Sequence, residues 1–152
     1  MLTAPTLEVS RVSYYIRYFA AHPITSKAIH QALQALDPAF KIDLGELVRG
    51  ETTLGQLEVN QAQGDLFEDD LGQTLRMVMA SGHGQAVIPR LQAARSIVVV
   101  NLDWSAIGPD QAMAMVAPLW TALAHLSPGL SQWDGNGIFD GGQRVVDLSN
   151  VR

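Results

Sequence analysis

The sequence predicts a single α+β domain spanning residues 1–152. The expected core is ferredoxin-like (β-α-β-β-α-β), with a mainly antiparallel sheet extended by a C-terminal helix and two strands. Three observations carry that expectation. Period-2 and period-3.6 hydrophobic patterns succeed one another along the chain in this order. The most apolar run, residues 97–100, has the length of a strand and falls far short of a membrane span. The chain is 152 residues long, 47% hydrophobic and 16% charged, which suits one well-filled core and excludes native disorder.

Val12, Tyr14, Ile16 and Tyr18 alternate with Ser13, Tyr15, Arg17 and Phe19, the pattern of a first strand. His22-Pro23 ends it, because proline cannot donate to a ladder. Thr25 or Ser26 then caps a helix carrying Ala28, Ile29, Ala32, Leu33 and Leu36, and Asp37-Pro38 stops it. Strands are expected over 42–48 and 54–60, joined by a hairpin turn at Arg49-Gly50-Glu51-Thr52. In the second of these, Gln56, Glu58 and Asn60 alternate with Leu57 and Val59, so one face is wet.

Asp65 opens the next helix, with Glu68 three places on as in a capping box, and Phe67, Leu71, Leu75 and Val78 continue it. Ser81-Gly82-His83-Gly84 breaks the pattern before a short helix containing Val87, Ile88, Leu91 and Ala94, with Pro89 near its start. Residues 97–100 read as a central strand covered on both faces. Gly108-Pro109-Asp110 leads into a helix carrying Met113, Val116, Leu119, Trp120, Leu123 and Leu126, in which Pro118 predicts a kink. Strands over 130–134 and 144–148, joined by a Gly/Asp-rich stretch, close the chain.

Charge distribution narrows function. The net charge is -5. Residues 43–70 hold Asp43, Glu46, Glu51, Glu58, Asp65, Glu68, Asp69 and Asp70 against Arg49 alone. Phosphate contacts demand a basic stripe, so nucleic-acid and anionic-membrane binding are not expected. Absence of cysteine removes disulfides, thiolate metal sites and thiol nucleophiles. With no signal-peptide pattern at the N-terminus, the expected location is cytoplasmic.

No motif names a chemistry, and no cofactor or metal is expected. Residues 134–142 begin like a calcium loop with Asp134 and Asn136, but Ile138 replaces the next oxygen ligand and Phe139 the turn glycine. The stretch reads as a pair of tight turns. His22, His30, His83 and His125 lack the paired spacing of a zinc helix. Glycine spacing for phosphate binding is missing too. Glu46 and Glu58 stand on adjacent strands, where solvated acids on a wet face outweigh a catalytic pair. The tyrosines and Phe19 of the first strand read as core packing plus one wet tyrosine.

The resulting expectation is a non-enzymatic protein-binding module, of immunity, inhibitor or regulatory kind, that binds a basic partner through an acidic surface. Its expected contact residues are Glu46, Glu58, Glu68, Asp69, Asp70 and Trp133. The alternative is a small enzyme or small-molecule binder with a pocket near the His83 loop and the turns between Asp134 and Asp140. Homodimerisation through an uncovered sheet face is a third reading.

Overall fold

The computed structural model describes residues 13–151. Val12, expected to start the first strand, lies outside them. β1 (Ser13–Ala20) is followed by α1 (Ser26–Leu36), the short strands β2 (Phe40–Asp43) and β3 (Glu46–Arg49), and the long β4 (Thr52–Gln61). Then come α2 (Asp65–Ala80), a 3₁₀ turn (Gln85–Val87), α3 (Ile88–Gln92), β5 (Ser96–Asp103) and α4 (Pro109–Leu126). β6 (Gly129–Trp133), β7 (Gly137–Asp140) and β8 (Gln143–Asp147) complete one eight-stranded sheet.

All its pairings are antiparallel, in the order β2-β3-β4-β5-β1-β6-β7-β8. The α+β class and the antiparallel sheet agree with the sequence reading; the ferredoxin-like core does not. β1 sits between β5 and β6 instead of beside β4, and helices cover both faces. The physical cause lies in β1 and β5, which are apolar on both sides. Ile16, Tyr18, Val98 and Val100 enter the core on the front face, with Ile29 and Leu33 of α1 and Val116, Leu119 and Leu123 of α4. Phe19 and Ile97 enter a second core on the back face, with Phe67 and Val78 of α2 and Leu91 of α3. Neither face of these strands could be left to water at about 25 cal/mol per Å² of apolar surface.

The two helix layers are offset. The front core draws on Phe40, Leu47, Leu54 and Leu57, the β2–β4 end of the sheet. The back core draws on Leu130, Ile138 and Val146, the β6–β8 end. Two diagonally opposite quadrants are therefore largely bare of helix among the described residues: the back of β2–β4, touched by α2 at β4, and the front of β6–β8, bordered by α4 at Trp133. Sheet alternation explains their contents, since the residues between core positions must face out there.

Two turns raise the strand number above six. The stretch 42–48 is split by Leu44-Gly45, both in the left-handed region at φ 50° and 84°. Such a pair makes the tight turn whose twist suits a hairpin, a position that favours Asn-Gly, so leucine disguised it. The Gly/Asp-rich stretch between the last two expected strands contains β7, flanked by turns at Gly135 (φ 71°) and Gly141 (φ 61°). Residues 134–142 do hold two tight turns, as expected, but with the strand β7 between them, which the sequence reading did not include.

α1 begins as expected. Thr25 Oγ1 accepts the Ala28 N–H at 3.1 Å. Thr25→Ala should lower stability by about 1 kcal/mol, while Thr25→Ser keeps most of it, measured as the urea unfolding midpoint. α2 differs: Gly64 is its N-cap, and no side chain caps it. Asp65 and Glu68 instead lie in the first turn, where acids suit the helix dipole. α4 contains Pro118 without being ended by it, so the helix spans one missing N–H donor while Leu119 packs into the front core.

Candidate functional site

The six expected contact residues do not form one surface. Glu58 lies on the back of β4 and is exposed; it stands opposite Val99, which stands opposite Arg17 and then Gln132 across β5, β1 and β6. Glu46 pairs with Gln56, so it borders the same bare quadrant from β3. Glu68 and Asp69 are exposed on α2. Asp70 is taken up structurally: Arg17 Nε lies 3.2 Å from its Oδ1. The same guanidinium donates from Nη1 to Asp134 Oδ1 (3.1 Å) and Gln132 Oε1 (3.0 Å), tying α2 to β1 and β6. Trp133 is on the opposite, front face, in register with Ile16. The acids and the tryptophan therefore cannot meet one flat partner together.

At the open corner of the acidic quadrant, the β2–β3 turn projects Leu44 between Asp43 and Glu46. Its side chain is 100% exposed. The turn is held by the Leu57 N–H, which donates to the Gly45 carbonyl at 2.8 Å. A leucine here is costly twice over, in solvent exposure and in its left-handed backbone. At the far end of the β2–β3 hairpin, Arg49 lies over the Phe40 ring and meets Asp37 at 2.9 Å. The Ala39 N–H, and then Arg49, hold the Asp37 carboxyl below the usual carboxylate range. Leu44 was missed by sequence reading; the signal was an apolar residue followed by glycine inside an acidic strand.

The other bare quadrant is aromatic. α4 and the front of β6–β7 bound a groove of about 650 Å³ whose walls include Tyr18, Trp120, Trp133 and Phe139. Trp133 is central: its ring lies 5.5 Å from Trp120, 5.8 Å from Phe139 and 6.3 Å from Tyr14, tilted to each. Periodicity placed Trp120 on a helix but could not bring it to β6. At the rim Arg90 Nη1 meets Asp140 Oδ2 at 2.9 Å. Burial, aided by Asp140 and opposed by Arg90, raises the Tyr18 hydroxyl above its ordinary range.

Among the described residues, neither His83 nor His30 hydrogen-bonds a carboxylate, and His125 lines the groove between α1 and α4. His83 is exposed and absent from the lining of the aromatic groove. The Asp147 carboxyl is lowered chiefly by the hydroxyl and N–H of Ser149, with Arg144 and then His83 adding smaller shares. His30 is structural, its Nδ1 accepting the Ile42 N–H at 2.9 Å. The calcium-like loop scatters: Asp134 faces Arg17, Asn136 accepts from Arg144 at 2.8 Å, and Asp140 faces Arg90. Among the described residues no three carboxylates or histidines gather as a metal set, and no helix is long and apolar enough to cross a membrane.

No protein-family model matches the chain, and no curated protein or solved structure matches it either.

Proposed function

We propose that this chain is a non-catalytic protein-binding module, of the immunity, inhibitor or regulatory kind, that engages a basic partner through the bare acidic quadrant of its sheet. The observation that carries this reading is Leu44, fully exposed at a strained turn between Asp43 and Glu46. An apolar knob ringed by acids complements an apolar pocket rimmed by lysine or arginine, where the knob supplies affinity and the charges supply encounter rate and orientation. Glu58 and Glu46 extend the negative field over the back face, where these acids and Asp43 outnumber the exposed Lys41 of β2. Trp133, on the other face, drops out of this surface.

Two properties of Leu44 should separate on substitution. Leu44→Asn suits the left-handed turn better than leucine, so it should raise stability by about 0.5–1 kcal/mol in urea unfolding. It should at the same time weaken capture of the partner from native host extract at least about tenfold, the loss of one anchor of roughly 1.4 kcal/mol or more. A Glu46→Lys, Glu58→Lys double variant should abolish capture at about 50 mM salt, and the wild-type interaction should fade towards about 500 mM. Capture that survives both changes and is indifferent to salt would refute the assignment.

A further inference from the structure

We infer that the groove on the front of β6–β7 is a binding site for an uncharged, planar aromatic small molecule. It is independent of the acidic quadrant and lies on the opposite face. Its volume of about 650 Å³ falls within the range of small-ligand sites, about 300–1,000 Å³. The walls choose the ligand class. The Trp133 indole N–H donates to Ser131 Oγ at 3.0 Å, and the Tyr18 hydroxyl donates to the Ser127 carbonyl at 2.6 Å. Both aromatic residues thus spend their polar ends on the protein and leave their carbon surfaces to the groove. Trp120 and Phe139 incline at 53° and 59° to Trp133, so the rings form a concave wall. A flat ring entering there gains offset-stacked and edge-to-face contacts that an aliphatic chain cannot.

The floor is kept low by Gly129. A Cβ there would lie 2.5 Å from the Phe19 carbonyl oxygen and 2.7 Å from Tyr18 Cζ, so a side chain would displace the ring that forms the wall. At the mouth the one ion pair, Arg90 with Asp140, cancels its own charge and favours a neutral ligand. The turn at Gly141-Gly142 leaves open space beside it. A second groove, about 450 Å³ between α1 and α4, is lined by Ala28, Ala32, Leu36 and Leu126 with the His125 imidazole but no Trp, Tyr or Phe ring, and so serves as an internal contrast.

The test uses a matched pair of fluorescent probes, neutral N-phenyl-1-naphthylamine and its anionic sulfonate analogue 1-anilinonaphthalene-8-sulfonate, titrated into the whole chain. The neutral probe should bind saturably at one site, quench Trp120 and Trp133 emission, and bind about tenfold tighter than both the sulfonate and decanol as competitor. Ala124→Trp, from an exposed position on α4 that lines the groove, should fill it and weaken the neutral probe at least about tenfold. Gly142→Phe at the rim turn, where there is open space, should do the same if Ala124→Trp fails to fold. Ala28→Trp in the other groove should change nothing. The inference is overturned by absence of saturable binding, by equal affinity for the sulfonate or decanol, or by binding that both filling variants leave intact. A concentration-dependent dimer in light scattering that excludes the probe would overturn it as well, giving the groove to a second copy.

Discussion

Gly55→Ala should lower stability by roughly 3 kcal/mol or more, a large share of the about 5–15 kcal/mol that holds an ordinary domain folded. Gly55 sits inside β4 at φ 152°, against the backbone of β5. An added Cβ would stand 2.0 Å from the Asn101 carbonyl oxygen and 2.9 Å from Leu102 Cα. Backbone atoms of a central strand cannot swing aside as a side chain can, so relief requires parting β4 from β5. The position matters because of what it does to register. Leu47 pairs with Gly55 while Val48 pairs with Thr53, so Leu54 is an extra residue in a bulge. That bulge turns Leu54 into the same front core as Leu57, three residues on, against the period of two. Urea unfolding followed by circular dichroism measures the loss; a variant within about 0.5 kcal/mol of wild type would contradict this account of the bulge.

Trp133→Ala should cost about 3 kcal/mol, at the lower end for a large aromatic because the ring is only half-buried. It removes the shared neighbour of Tyr14, Trp120 and Phe139, three contacts that cannot re-form with each other. Trp133→Phe should recover more than half of the loss, since a smaller ring still bridges them. The substitution also tells the two quadrants apart. Measured at a temperature where Trp133→Ala is still folded, the neutral probe should no longer bind, while partner capture dependent on Glu46 and Leu44 should persist. Simultaneous loss of both in a folded protein would show that the two faces are not separate sites.

Local signals were legible where the neighbouring residues alone decide the outcome. Thr25 caps α1 because its hydroxyl needs only a backbone N–H three residues away. Gln56 and Glu58 face water because alternation fixes which side of β4 they leave by. Tyr15 is the wet tyrosine of β1, at 41% exposure, for the same reason. Leu44 shows where local inference fails. Propensity argues against leucine in a left-handed turn, so residues 42–48 read as one strand, and only the pairing of Phe40–Asp43 with Glu46–Arg49 reveals the reversal. The β7 strand was hidden similarly, because four residues between glycine turns carry too little pattern to be read without β6 and β8 beside them.

The absence of a catalytic or metal-binding motif, the surplus of acids over residues 43–70, and the α+β class belong to the sequence itself, being set by composition and short-range periodicity. The tertiary structure decided the rest. Sheet order placed β1 between β5 and β6, and the offset of the two helix layers left one quadrant acidic and the other aromatic. It separated Trp133 from the acids it had been grouped with, and it brought Trp120 to Trp133 from another element. The physical reason is that strand pairing and helix packing join residues tens of positions apart. A period of two or 3.6 says which side of its own element a residue faces, and only packing says what stands opposite.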